Sequence, residues 1–369
     1  MSLIKHIPNI CDHISCHCWN GDGTKVAYSP CSKDIIISRL EGDKLIQEAV
    51  LKQHDARVTG IDWSSTNNKI VSCSEDRNAY VWSQNEKGEW EPVLVMLRIE
   101  FAATDVKWSP NELKFACSSG NKLVAICTFK EETNWWSSEH VKHFKSTVSK
   151  IAWSPDSLTI AATGTDRTVK IVNAFVKGQD EKESYSPFSK EKLSSPKCKL
   201  GTFLFETEKD ELWINAVAYT PDGQTVVYAT QTSKICFITA SEGGEKPTIQ
   251  TLEVDSLPFC DILCLSNTRI IAVGHNFNPC LFEKNGDEWK FVKMIDEKQE
   301  KKKGVMSAKE IFTSMTSKGT TEFKSAAEQI ETTHKNTVTC VRAKKYDENW
   351  NVLEFATSSM DGSICLWKA

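Results

Sequence analysis

Thr104-Asp-Val-Lys-Trp108-Ser-Pro110 and Lys150-Ile-Ala-Trp153-Ser-Pro155 are two copies of one short block. An alternating apolar run ends on a large anchor, and a turn follows. Earlier copies read Ser15-Cys-His-Cys-Trp19-Asn and Thr59-Gly-Ile-Asp-Trp63-Ser. Weaker ones read Ala216-Val-Ala-Tyr219-Thr-Pro221, Leu263-Cys-Leu265-Ser and Thr339-Cys-Val-Arg-Ala343. Successive anchors lie 44, 45, 45, 66, 46 and 78 residues apart. A period near 45 is the length of one four-stranded blade of a propeller.

Working outward from each anchor gives the same local pattern. Turns such as Asn20-Gly-Asp-Gly23, Ser154-Pro-Asp-Ser157 and Thr220-Pro-Asp-Gly223 combine a preset φ at Pro with residues that tolerate the next turn position. Apolar runs follow, such as Lys69-Ile-Val-Ser-Cys73, and a further strand such as Ser363-Ile-Cys-Leu-Trp367. The expectation is an all-β, seven-bladed WD-repeat β-propeller spanning residues 1–369 as a single domain. Two of its spacings are stretched, so insertions are expected at about 177–200 and 296–333. The last blade lacks a fourth strand after Trp367, and Ser2–Ile7 is expected to supply it and close the ring.

Composition removes other classes. With Lys+Arg 45 against Asp+Glu 49 and a net charge of −4, the chain lacks the basic excess of a nucleic-acid or membrane-surface binder. No apolar run approaches the roughly 18 residues of a membrane span, and residues 1–8 lack the apolar core of a secretory leader. The 14 Cys fall within apolar strand-like runs, which suits buried free thiols in an intracellular protein.

Each chemical constellation has a structural reading. His54, Ser72, Asp76 and Trp82 recur as His334, Thr357, Asp361 and Trp367, with Asp four residues after the hydroxyl and six before Trp. A Ser–His–Asp trio suggests a hydrolase, but repetition in separate blades points to a hydrogen-bond chain that braces the fold. A third copy, His143 with Asp166, has Val172 in the Trp position and predicts a looser blade. Cys11, His13, Cys16, His17 and Cys18 are dense enough to suggest zinc, yet lack the second ligand pair. Trp135-Trp136 is expected to pack one ring on each side of a strand between neighbouring blades, with a ligand platform as the alternative. No phosphate loop is present, and no cofactor is expected.

The insertions exceed what blade geometry needs. The first, rich in Lys, Glu, Ser and Pro, reads as an extended surface loop. The second opens with Glu297-Lys-Gln-Glu-Lys-Lys-Lys-Gly304, then carries Ser307-Ala-Lys-Glu310, a capping box that predicts a short helix. Ile311, Phe312 and Met315 form one apolar stripe on it, with Gly319 as a stop. Such a stripe lies on the propeller's own rim or in a partner's groove.

His54-Asp-Ala-Arg-Val-Thr-Gly-Ile-Asp-Trp63, Asp76-Arg-Asn-Ala-Tyr-Val-Trp82, Asn134-Trp-Trp136, Ser146-Thr-Val148 and Gly274-His275, with both insertion positions, resemble the WD-repeat subunit of the actin-related protein 2/3 complex. That resemblance implies a non-enzymatic scaffold in the seven-protein assembly that nucleates branched actin filaments. It implies contacts with other subunits and with the acidic tails of nucleation-promoting factors. It also implies that Ile311, Phe312 and Met315 touch the mother actin filament, and a cytoplasmic location at the actin-rich cell cortex and its projections. In this family the chain continues past the last strand, whereas here it stops at Ala369. Two other classes remain open at this point: a propeller adaptor of ubiquitin-ligase or chromatin type, and an enzyme with acids and bases converging on the channel.

Overall fold

The computed structural model describes residues 1–181, 185–296 and 332–369. Seven four-stranded antiparallel sheets are arranged as successive blades. β1 (Ser2–Ile7) belongs to the last of them. The first blade is β2 (Cys16–Trp19), β3 (Lys25–Ser29), β4 (Ile35–Glu41) and β5 (Lys44–Leu51). The second is β6 (Val58–Trp63), β7 (Ile70–Ser74), β8 (Ala79–Gln84) and β9 (Trp90–Val95). The third is β10 (Ala103–Trp108), β11 (Lys114–Ser119), β12 (Leu123–Lys130) and β13 (Trp135–Val141). The fourth is β14 (Val148–Trp153), β15 (Thr159–Gly164), β16 (Val169–Asn173) and β17 (Phe203–Glu206). The fifth is β18 (Ile214–Tyr219), β19 (Thr225–Thr230), β20 (Lys234–Thr239) and β21 (Thr248–Glu253). The sixth is β22 (Phe259–Ser266), β23 (Arg269–Gly274), β24 (Cys280–Asn285) and β25 (Glu288–Met294). The seventh joins β26 (Val338–Tyr346), β27 (Val352–Ser359) and β28 (Ile364–Lys368) to β1, in the order β1-β28-β27-β26.

The anchors end the innermost strands. Trp19, Trp63, Trp108, Trp153 and Tyr219 are all buried, each removing a large apolar surface from water in the wedge between adjacent blades. The residue after the anchor closes the following turn. The backbone N–H groups of Lys69, Lys114, Thr159 and Thr225 donate to the hydroxyls of Ser64, Ser109, Ser154 and Thr220 at 2.9, 3.3, 2.9 and 3.1 Å. In the first blade Asn20 Oδ1 accepts from Lys25 N–H at 2.8 Å. This polar residue satisfies an amide that the bend would otherwise strand.

At the other end of the innermost strands, a register shift recurs immediately before the third residue. It falls between Val58 and Gly60, Ala103 and Asp105, Val148 and Lys150, Ile214 and Ala216, Phe259 and Asp261, and Val338 and Cys340. The bulged residue turns its side chain to the next blade. Thr59 Oγ1 donates to Ala103 O at 2.9 Å, Thr104 Oγ1 to Val148 O at 2.6 Å and Ser149 Oγ to Ile214 O at 3.2 Å. Asn215 Nδ2 continues the belt to Phe259 O at 3.2 Å, and Thr339 Oγ1 reaches Ile14 O at 2.9 Å. At the sixth-to-seventh step the bulged residue is Cys260.

The seam between the seventh and first blades is held by backbone. Ile10 N–H donates to Gly362 O at 2.9 Å and Ile14 N–H to Ser359 O at 3.3 Å. Gly362 adopts φ +72°, and a Cβ there would stand 1.7 Å from Cys11 O, so no other residue fits. Ser2–Ile7 pairs antiparallel with Ile364–Lys368. Deleting residues 1–7 leaves the edge of β28 open, and soluble oligomers or aggregate are expected in light scattering, with a monomer of unchanged melting temperature as the contrary result.

Candidate functional site

The second-blade tetrad is one directional chain. Trp82 Nε1–H donates to Ser72 Oγ at 2.9 Å, Ser72 contacts His54 Nε2 at 2.8 Å, and His54 Nδ1–H donates to Asp76 Oδ2 at 2.8 Å. Asp76 also accepts the N–H groups of Asp55 at 3.0 Å and Asn78 at 2.9 Å. Burial pushes this carboxyl upward, but the bonds from His54 and the backbone outweigh it and hold the group below its ordinary range. Ser72 is wholly buried. A hydroxyl that already joins an indole and an imidazole inside a sheet cannot meet a substrate.

The seventh-blade copy is built differently from the sequence expectation. Trp367 Nε1–H donates to Thr357 Oγ1 at 2.9 Å, and Thr357 contacts His334 Nε2 at 2.7 Å. His334 Nδ1–H then donates to Ser363 Oγ at 2.9 Å, and Ser363 donates to Asp361 Oδ1 at 2.5 Å. Asp361 Oδ2 lies 3.7 Å from His334 Nδ1, beyond hydrogen-bond reach. Ser363 is an additional member that the four-residue spacing did not reveal. Asp361 is pushed up by burial but pulled well below the usual carboxylate range by its side-chain and backbone donors.

The fourth blade has no third copy. Phe144, not His143, stands four residues before the innermost strand, as His54 and His334 do, and it is buried. His143 is exposed with φ +78°. Asp166 instead receives Lys170 Nζ at 2.6 Å, beneath the Phe144 ring at 5.6 Å from its centroid. This blade exchanges the imidazole chain for a buried ammonium–carboxylate pair.

The amino-terminal cluster separates by strand alternation. Cys16 and Cys18 join the core with Ile61 and Trp63, while His17 faces the other way and its Nδ1 lies 2.8 Å from Ser358 Oγ. Burial lowers the His17 pKa to about 3. His13 Nδ1 meets Met360 O at 2.7 Å, and Cys11 is partly exposed. Among the described residues no group of three or more His, Cys, Asp or Glu is placed to hold a metal. The Trp pair also departs from expectation: Trp136 is buried against Trp108 and Phe115, but Trp135 is 42% exposed.

The first insertion is no extended loop. Phe188, Leu193 and Cys198 are buried, and Asn173 Nδ2 donates to Leu193 O at 2.9 Å and Cys198 O at 2.8 Å. Lys114 Nζ, fully buried, reaches Ala174 O at 3.0 Å and Asp180 Oδ2 at 2.5 Å. The segment folds back onto the propeller because its few apolar residues find a groove there. For the second insertion, the described ends meet. Thr333 Oγ1 donates to Asp296 Oδ1 at 2.9 Å, and Thr333 N–H to Asp296 Oδ2 at 2.5 Å. Ile311, Phe312 and Met315 lie outside the described residues.

Acids and bases do converge near the channel, which the sequence reading missed. Asp62 Oδ2 accepts Trp108 N–H at 2.8 Å, Asp105 Oδ2 accepts Ile151 N–H at 3.3 Å, and Asp261 Oδ2 accepts Val341 N–H at 3.0 Å and Arg342 Nη1 at 2.6 Å. Lys150 is pushed up chiefly by the charge of Asp105. Each of these carboxylates tethers one blade to the next, so they are committed to structure. Their only sequence signal was a charge at an alternating position of an inner strand.

The repeated blades, buried tetrads and belted ring define a WD-repeat propeller, a protein class that works by presenting surface. Residues 45–83, 136–173 and 327–368 match the WD domain, G-beta repeat family. The actin-related protein 2/3 complex subunit 1A-A of Xenopus laevis is 34% identical over 359 residues, covering 96% of this chain and 93% of that protein. Subunit 1B of Arabidopsis thaliana is 35% identical, covering 99% and 96%. Subunit 1 of Schizosaccharomyces pombe is 28% identical, covering 95% of each. The chain belongs to the family of actin-related protein 2/3 complex subunit 1, the non-enzymatic WD-repeat subunits.

Asp361→Ala strands the Ser363 and Lys335 donors and is expected to cost about 1–3 kcal/mol, read as a lower melting temperature. Stability is also expected to depend on pH. His17 stays neutral in the fold, so stability is full above about 6.5 and declines toward pH 3 as only the unfolded chain protonates. Asp76 and Asp361 add stability present above about pH 3.9, lost as the pH falls through their lowered folded values. Denaturant titrations of wild type and Asp361→Asn check this, the variant showing the shallower loss at acid pH.

Proposed function

We propose that this chain is the WD-repeat scaffold of an actin-related protein 2/3 complex, holding neighbouring subunits in a cytoplasmic assembly at the actin-rich cell cortex that nucleates branched filaments. The observation that carries this reading is similarity to subunit 1 proteins at 34–35% identity over 96–99% of the chain. The propeller needs no catalytic group for such a role. It supplies a stiff ring whose loops hold fixed positions while partners dock.

The second insertion is the segment proposed to touch an actin filament. It leaves and returns at the Asp296–Thr333 staple, so the propeller's sheets are complete without it. Its sequence carries a capping box at Ser307-Ala-Lys-Glu310, and the spacing of Ile311, Phe312 and Met315 is that of one apolar face on a helix begun there. Burial of such side chains in a groove contributes about 1.5–3 kcal/mol each before ordering costs. Lys298 and Lys301–Lys303 lend the segment a positive charge that suits acidic surfaces, and the acidic tails of nucleation-promoting factors are the second proposed class of partner.

Replacing Ile311 and Phe312 together with Asp is expected to leave folding and subunit co-purification intact while lowering branch density in a reconstituted branching assay. Ser307→Ala is expected to give a milder loss, from a cap worth about 0.5–2 kcal/mol. Normal branching by the double variant rejects the filament contact. A wild-type chain that fails to co-purify with the other subunits rejects the scaffold role itself.

A further inference from the structure

Leu212, Trp213 and Leu257 lie in the crossovers that enter β18 and β22, and they are 46%, 53% and 54% exposed. The two crossovers are neighbours. Asn215 Nδ2 reaches Phe259 O at 3.2 Å, and these residues stand two positions beyond Trp213 and Leu257. The backbone beneath the exposed side chains is pinned. Gln231 N–H donates to Trp213 O at 2.9 Å, Leu257 N–H to Asn276 Oδ1 at 2.9 Å, and His275 N–H to Pro258 O at 3.1 Å. The side chains have no task in the core, which Ile214 and Phe259 complete at 1% exposure each. Three large apolar groups are thus held out on fixed backbone, Leu212 and Leu257 at matching positions of adjacent blades with Trp213 beside them, as a contact surface requires and a solvated loop does not.

Their surroundings are acidic. The same crossovers and the strand end beside them carry Glu208, Asp210, Glu211, Glu253 and Asp255. Lys234 pairs with Glu211 at 3.1 Å and Glu253 at 3.5 Å, and Arg167 spends one N–H group on Glu211 O at 3.3 Å. With Lys209, these make three cationic residues against five carboxylates. We infer that blades five and six form a docking surface for a partner polypeptide segment that carries large apolar residues flanked by Lys or Arg. A segment with acidic flanks leaves the rim carboxylates facing like charge, and nucleic acid or an anionic membrane is repelled outright. The surface rests on the proposed scaffold role for the source of its partner, another subunit of the complex. It lies at the end of the ring where strands pass from blade to blade. The first insertion, between the third and fourth strands of its blade, lies at the opposite end.

The full-length chain is immobilised and probed with overlapping peptides of about 15 residues covering the other subunits of the complex, and the binders are titrated in solution. The expected binders carry at least two large apolar residues beside Lys or Arg. Trp213→Asp and Leu257→Asp are each expected to weaken them by about tenfold or more, while Trp213→Phe retains most of the affinity. Asp255→Lys is expected to weaken binding severalfold and to reduce its salt dependence. The inference is overturned if no peptide binds, if the binders have acidic flanks, or if the Asp variants bind as wild type. Binding by a synthetic peptide of residues 297–331 alone also overturns it, assigning the surface to the chain itself. Co-purification with the intact subunits is read separately: its failure in wild type rejects the scaffold role, whereas normal assembly with insensitive peptides rejects only this surface.

Discussion

A blade of this propeller buries nothing by itself; each wedge of apolar side chains closes only when a neighbour covers it, and the last wedge closes only when the seventh blade meets the first. Everything else depends on that closure. Ser2–Ile7 pairs with β28, Gly362 lets the chain pass against Cys11, and Thr339 reaches Ile14 across the seam. The hydroxyl and amide side chains at the inner-strand bulges repeat this contact at other steps. The ring is consequently one cooperative object in which neighbouring blades share their cores, and the pairing of β1 with β28 leaves the seventh blade with four strands like the others.

Within that ring, buried polar groups take different forms in different blades. The second blade uses an imidazole chain from Trp82 to Asp76, the seventh lengthens it through Ser363, and the fourth replaces it with Lys170 and Asp166 under Phe144. What is common is that the imidazole, hydroxyl, ammonium and carboxylate groups of these three arrangements are paired with one another, because an unmet one costs more than any single bond returns. The channel obeys the same rule. Asp62, Asp105 and Asp261 are spent on backbone amides of the next blade, which explains how a propeller can gather acids and bases at its centre without being an enzyme.

The consequence for function is a division of labour by position. The ring is rigid, and variation is displaced to its two ends. Blade four carries the first insertion at one end, clamped down by Lys114 and Asn173. The second insertion departs at the other end from a stapled base, beside the crossovers of blades five and six. A scaffold needs this arrangement, since separate partners can be held at fixed distances only if the body between them does not deform.

The blade count, the anchors and the turn residues were legible in the sequence because they are local: a Trp at period 45, with Ser or Thr next to it, closes its own turn wherever it sits. Three members of the second-blade tetrad were legible for the same reason, the spacing of Ser72, Asp76 and Trp82 being set by the β7–β8 hairpin. Tertiary structure decided what depends on distant segments. Ser363 entered the seventh-blade chain because the turn left Asp361 too far from His334. Phe144 took the position that His143 seemed by spacing to hold, one residue of register deciding which side chain points inward. Leu193 and Cys198 found a groove that a polar composition gave no reason to expect, and the inner-strand charges met only because seven strands from seven repeats converge. A single sequence records the period of a chain directly, but the contacts between repeats only through the geometry that brings them together.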